Sequence, residues 1–289
     1  MLWKLPEIAV PPDILFYIGP YPVYNTFLIT LISALIILGF FRAALRHPTI
    51  IPGFMQNLVE WANQLLLNLC TDVAGKEKGR RFFPWVATIF FLVLFANWWE
   101  VIPGIETIGT LKPGAQPVAG FLLFGSQSNQ IYPWLRPPST DLNFTVALAI
   151  ISVIATQVYG FKMLGVSGQL GRYFSLREGP LGLVVGILEA VLEVARVLSF
   201  SFRLFGNLFA GDVLLLVMGF LIPFVGAVPF YALEVFVGFI QAFVFAFLTL
   251  VFMELGTTGH GHEEPEEEHA AEVARSEREL AARGLSHSA

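Results

Sequence analysis

The chain has 289 residues, of which 55% are hydrophobic and only 13% charged, with 28 Phe and a mean hydropathy of +0.68. Soluble domains carry about a quarter charged residues, so a soluble fold is excluded, as is a nucleic-acid-binding protein, which needs a basic patch absent here. The single cysteine, Cys70, excludes a disulfide framework and a thiolate metal cluster.

The net charge of −5 belongs to residues 257–289, which carry eight Glu and three Arg; the rest of the chain is neutral in count. Three regions follow: an external N-terminal segment over 1–25, a membrane domain over 26–255 and an acidic tail over 256–289. The N-terminus, MLWKLPEIAVPPDILF, is broken by Pro6, Pro11, Pro12 and Asp13 and has no continuous apolar core of the signal-peptide kind.

A helix needs about 20 apolar residues to cross some 30 Å of hydrocarbon. Thr26 to Leu45 is the first such run, stopped by Arg42, Arg46, His47 and Pro48. Gly53 to Ala74 is amphipathic: Glu60, Asn63, Gln64, Asn68 and Asp72 share one face, and Leu58, Leu65, Leu66 and Leu69 the other. It reads as a helix lying in the interface. The basic stretch GKEKGRR (Gly75 to Arg81) leads into a second span, Phe82 to Ile102, whose end NWWEVIP suits the membrane surface that Trp favours. Residues 103–138 read as an extramembrane loop. Leu142 to Leu164 is a third span after the helix-start signal PPSTD, and Gly165 to Pro180 returns to water. Two long apolar segments follow, Leu181 to Ile222 and Val225 to Leu255, separated by Pro223 and Pro229. The expected fold is an all-α polytopic membrane protein with about five embedded helices and one interfacial helix.

Lys and Arg set the orientation. Arg42, Arg46, Lys76, Lys78, Arg80, Arg81, Lys162, Arg172 and Arg177 fall on one side, against Lys4, Lys112 and Arg136 on the other. The positive-inside rule places the first group in the cytoplasm, the N-terminus outside and the tail inside. The segment 181–222 is overlong: about 42 residues rising 1.5 Å each make a helix of roughly 60 Å, twice the hydrocarbon thickness. No proline interrupts it, so one strongly tilted helix is expected, beside a second overlong one.

Ionisable groups inside membrane helices are costly and mark transport routes. At about 100° per residue, Glu189, Glu193, Arg196, Arg203 and Asn207 fall in one stripe, while Asp212 lies about 180° from Arg203. Glu234 and Gln241 share a face of the last helix. Glu189, Glu193 and Arg196 also fit a snorkelling ion-pair cluster near the cytoplasmic end. Arg203 does not, because no acid lies within four residues of it and a guanidinium stays charged. Asp212 and Glu234 are carboxyls in apolar surroundings that exchange protons with water if a polar path reaches them.

LSFSFRLFGNLFAGD (Leu198 to Asp212) resembles the signature of subunit a of the F-type ATP synthase membrane sector, with Arg203 in the position of that family's essential arginine. The segments Phe83 to Gly104, Arg136 to Ile150 and Gln241 to Phe252 agree in order and spacing. The resemblance implies a stator subunit beside a rotating c-subunit ring, carrying two aqueous half-channels that end near Arg203. It further implies that Asn207 and Gln241 are polar neighbours of the arginine, that Asp212 and Glu234 belong to the outer half-channel, and that Glu189 belongs to the cytoplasmic one. Glu193, Arg196 and Asp141 are accessory candidates, Asp141 near the outer entrance. The transported ion is H⁺ first and Na⁺ as the alternative, its ligands lying on the c subunit. Partners are the c-ring, b-type peripheral stalk subunits and the lipid bilayer of a bacterial plasma membrane. No catalytic residue, cofactor or metal is expected, and no GxxxxGK[ST] loop is present to hold a nucleotide. The family pattern often places a histidine at one of the Asp212 and Glu234 positions; here both are acidic, and the five His (His47, His260, His262, His269 and His287) all lie outside the membrane segments. The tail's HxH…H pattern reads as a solvated terminus rather than a metal site, and AAEVARSERELAARG as a short polar helix for a stalk partner.

The competing class is a secondary ion transporter or antiporter, which would show internal repeats and broken helices; neither is visible. A channel subunit would need a filter-like carbonyl motif, also absent.

Overall fold

The computed structural model describes residues 12–46, 48–105, 108–111, 131–173, 180–222 and 228–258. Among these, five helices carry the architecture: α1 (Asn25–Leu45), α2 (Phe54–Trp98), α3 (Leu142–Tyr173), α4 (Pro180–Leu221) and α5 (Val228–Thr257). Two small antiparallel hairpins flank them, β1 (Ile14–Ile18) with β2 (Tyr21–Tyr24), and β3 (Gly109–Leu111) with β4 (Ile131–Pro133). The sequence reading had no strand in either place. The acidic tail beyond residue 258, which holds four of the five histidines, residues 223–227 and the first eleven residues lie outside the described residues.

Four helices, α1, α2, α3 and α5, are long and apolar enough to cross a bilayer. The chain is an all-α polytopic membrane protein. The fourth helix, α4, runs unbroken for 42 residues, as the absence of proline led one to expect.

The interfacial helix and the second span are both present in α2, but they are joined at Gly75, whose φ of 73° and ψ of 166° only glycine adopts without strain. The fold-back is sharp: Gly79 lies so close to the Cys70 carbonyl that a Cβ there would collide with it. The polar stretch after the third span differs more. Gly165 makes the same kind of kink (φ 73°, ψ 172°), but the chain beyond it is helical to Tyr173 and returns along its own helix. Gln169 is 1% exposed, so this limb is not simply released to water.

Helices in lipid associate through close packing, small residues and interhelical hydrogen bonds rather than through a hydrophobic drive. The α2–α5 seam follows that rule, with Ala87, Ala96, Ala242 and Ala246 all buried. Asn97 joins three elements at one end of it: its Nδ2 donates to the Gly238 carbonyl (3.0 Å) and its Oδ1 accepts from Ser139 Oγ (2.6 Å). At the opposite, basic end, Lys78 pairs with Glu254 at 2.8 Å. On the α3–α5 seam, Ser152 and Thr249 share a hydrogen bond of 2.8 Å. Phe200, Leu204 and Leu208 of α4 close the core against Phe245 and Leu250 of α5.

Candidate functional site

The antiparallel pair α4 and α5 brings the charged residues together in layers. At the centre, Asn207 Nδ2 donates to Gln241 Oε1 across the pair at 2.9 Å. The Gln241 side chain is buried, and its Nε2 has no hydrogen-bond partner among the described residues. One turn away on α4 lies Arg203. Among the described residues, its guanidinium reaches the Ser199 hydroxyl, at 3.3 Å, and lies over the Phe200 ring, 6.0 Å from the centroid. Among the described residues no acid pairs with it, so its charge is directed at the outer surface of α4, where Leu198, Phe202, Ser199 and Gly206 are exposed.

Towards the Trp-rich end, Glu234 of α5 is 4% exposed, and its Oε1 meets no donor among the described residues. Its carboxyl lies against Gly211 of α4, where a Cβ would collide with all three carboxyl atoms. Asp212 is the next residue, and the two carboxylates are close enough to repel. Arg136, buried at 6% exposure in the segment before the 3₁₀ turn Pro138–Thr140, is close enough to attract Asp212. The structure thus joins Asp212, Glu234 and Arg136 in one cluster, on the side of α4 turned from Arg203. Arg136 is the residue that sequence reasoning missed as a site member, having entered only in the charge count and as the first residue of a family-like segment. Its signal was position: a cation directly before the diproline that starts the third span cannot move freely into water.

Asp141 caps α3, with Oδ1 accepting from the Asn143 backbone N–H (2.9 Å) and Oδ2 from Thr26 Oγ1 (2.7 Å). At 5% exposure it ties α1 to α3.

Towards the basic end, Glu193 and Arg196 form the ion pair that their i,i+3 spacing allows, with Arg196 Nη1 at 2.9 and 3.0 Å from the two carboxylate oxygens. The Arg196 guanidinium lies 4.0 Å from the centroid of Phe252 on α5. Gln157 of α3 donates to Glu193 Oε1 at 2.8 Å, and Gln169 donates to Gln157 Oε1 at 2.7 Å. Glu189, one turn nearer the start of α4, is half-buried. Along α4 the order is therefore Glu189, the Glu193–Arg196 pair, Arg203, Asn207 and Asp212, with polar groups above and below one unneutralised arginine.

The ATP synthase A chain family model matches residues 27–254, nearly the whole membrane domain. The chain belongs to the ATP synthase A chain family. Among its relatives, ATP synthase subunit a of Moorella thermoacetica is 31% identical over 253 residues, covering 88% of this chain and 99% of the relative. Subunit a of Campylobacter jejuni subsp. jejuni (strain 81-176) is 33% identical over 214 residues, 73% of this chain and 80% of the relative. That of Nitratiruptor sp. is 30% identical over 225 residues, 77% and 84% respectively. As a subunit a family member with apolar helices of spanning length, the chain is an integral, multi-pass membrane protein that serves proton transport in ATP synthesis.

Proposed function

We propose that this subunit a conducts protons through two half-channels that meet a rotating c-ring at the outer face of α4, and that Arg203 separates them. The observation that carries the reading is the isolation of Arg203: a guanidinium cannot discharge by losing its proton, and among the described residues none neutralises it. A ring carboxylic acid arriving from lipid gives up its proton to one half-channel, and the carboxylate so formed is drawn to that charge, since attraction in low dielectric is many times that in water. It takes a proton from the other half-channel before it returns to lipid.

Asp212 and Glu234, with Arg136 beside them, supply the outer path; Glu189 supplies the cytoplasmic one. Asn207 and Gln241 hold α4 and α5 together next to the arginine and offer polar atoms to the deprotonated carboxylate. The bias of Lys and Arg puts the basic end in the cytoplasm of a bacterial plasma membrane, the N-terminus outside and the acidic tail, residues 256–289, inside. Partners are the c-ring and the b-type peripheral stalk. Nucleotide chemistry belongs to other subunits, and this chain contributes no catalytic residue.

Arg203→Ala tests the reading. The complex should assemble, yet ATP-driven proton pumping and gradient-driven synthesis should both be lost. Arg203→Lys should retain only a small remainder, because a lysine is able to lose its proton when buried and offers a point charge instead of a planar fork. Coupled pumping by the alanine variant would end the assignment.

A further inference from the structure

Two arginines lie in α4, seven residues apart and so on the same stripe, about 10 Å from one another along the axis. Among the described residues, only one of them is left without a counter-charge. Arg203 makes a hydrogen bond to a hydroxyl, whereas Arg196 is turned back against Phe252 and held by Glu193.

The surroundings of Glu193 are built for holding. Arg196 donates to both carboxylate oxygens, Gln157 Nε2 donates at 2.8 Å and the Tyr173 hydroxyl at 3.4 Å. Each of these contacts is donated to the carboxylate, which is thereby held as a charged acceptor. The Gln157 amide is itself fixed. Its Oε1 accepts from Gln169, which turns its Nε2 towards Glu193 and the Tyr173 hydroxyl (2.9 Å).

Three glycines make room for that arrangement. Gly165, at φ 73°, reverses the chain so that residues 166–173 come back along α3. The Gln169 amide then occupies the space where a side chain on Gly160 would stand, at 2.7 to 2.9 Å from its Cβ position. Gly186 of α4 admits the Tyr173 carbonyl, which a Cβ would strike. The backfolded limb that the sequence reading sent to water is thus the element that carries Gln169 and Tyr173 to the inner half of α4.

We propose that Glu193 sequesters Arg196, leaving Arg203 as the single uncompensated cation on the α4 stripe, and that the backfolded limb 166–173 is the positioning element of this clamp. The proposal rests on the reading of Arg203 as the charge that meets the rotor. A second free guanidinium two turns away would offer each passing carboxylate a competing resting place, and rotation would stall between the two. Glu193 is on this account a partner of Arg196 and not a carrier of protons, which leaves Glu189 as the inner-path acid.

The test uses the whole ATP synthase in inverted membrane vesicles, with ATP-driven acidification measured per assembled complex. Glu193→Gln should lower pumping about ten-fold or more, and adding Arg196→Gln to it should restore pumping to within about three-fold of the parent, the non-additivity expected of residues in direct contact. Rescue per assembled complex separates charge competition from a loss of assembly, which the amount of complex reports by itself. If Glu193→Gln pumps like the parent, or if the double variant stays as low as the single, the clamp is refuted; the second result would make Glu193 a proton carrier. Gln157→Leu keeps both charges and should give a smaller loss, about two- to three-fold, through a loosened ion pair; unchanged pumping per complex there overturns the proposal even if Glu193→Gln fails to assemble. Arg203→Ala serves as the separate control. Pumping by that variant would remove the rotor assignment, while the rescue of Glu193→Gln by Arg196→Gln would still report on the clamp.

Discussion

On the basic side of Arg203, the Glu193 carboxylate receives hydrogen bonds from an arginine, a glutamine and a tyrosine. On the Trp-rich side, the Glu234 carboxyl lies buried beside Asp212 with its Oε1 given no donor among the described residues. The same functional group is thus put to opposite uses within one helix pair. A carboxylate ringed by donors is fixed in charge and place. A carboxyl buried against a second one, with an oxygen left without a donor among the described residues, is able to take up a proton and pass it on. The first arrangement fits a static counter-charge, the second an exchangeable site.

Breaking the outer pair should give the largest effect. Asp212→Asn combined with Glu234→Gln should block passive proton flux through the membrane sector while the complex still assembles, whereas either change alone should slow it and leave part. Proton flux through vesicles stripped of the nucleotide-binding subunits measures this. Single variants as inactive as the double would mean that the two acids act in series, and normal flux in the double would send the outer path elsewhere.

A backbone change sharpens the same contrast. Gly211→Ala inserts a methyl where the Glu234 carboxyl now rests, so Glu234 must swing away from Asp212. Pumping should fall by about ten-fold, since a misplacement of about 1 Å at a reacting group costs up to a hundred-fold. Gly219→Ala in the same helix, away from the Arg203 face, meets nothing within 4 Å and serves as the local control for helix stability.

Gly165→Ala should act mainly on stability. A non-glycine residue at φ 73° costs about 1–3 kcal/mol, read as a lower thermal midpoint of the detergent-solubilised complex. The smallest effect belongs to Asp141→Asn. An amide oxygen still caps the Asn143 N–H and the Thr26 contact is weakened, so the cost is about 1 kcal/mol or less, and pumping per complex should stay near that of the parent. A complete loss of pumping there would return Asp141 to the proton path.

Much of this was legible in the sequence because membrane helices obey two strong constraints, length and the expense of charge. The unbroken α4 followed from 42 residues without proline, and the meeting of Asp212 with Glu234 followed from a nine-residue step that turns Asp212 away from Arg203. The parts that were not legible depend on three-dimensional closure. Nothing local in GVSGQLGRY shows that Gln169 will be buried, since its burial needs the kink at Gly165 and the vacant side of Gly160 at once. The strands Ile14–Ile18, Tyr21–Tyr24, Gly109–Leu111 and Ile131–Pro133 are short, and their strand character is weak beside the membrane signal. Arg136 is read as a loop cation until the fold brings its segment against α4. Asp141 has the residue type of both a cap and a channel group, and its bonds to Thr26 and Asn143 emerge only in the folded chain.

The central claim is that one arginine divides two water paths of opposite access. Single cysteines at Ala190 and Val213, beside Glu189 and Asp212, test it most directly in a chain whose native Cys70 is replaced by serine. Right-side-out and inverted vesicles are treated with a membrane-impermeant thiol reagent, and the labelling rates are compared. The account predicts that Ala190→Cys reacts faster in inverted vesicles and Val213→Cys faster in right-side-out ones. Both cysteines reacting from the same side would contradict it.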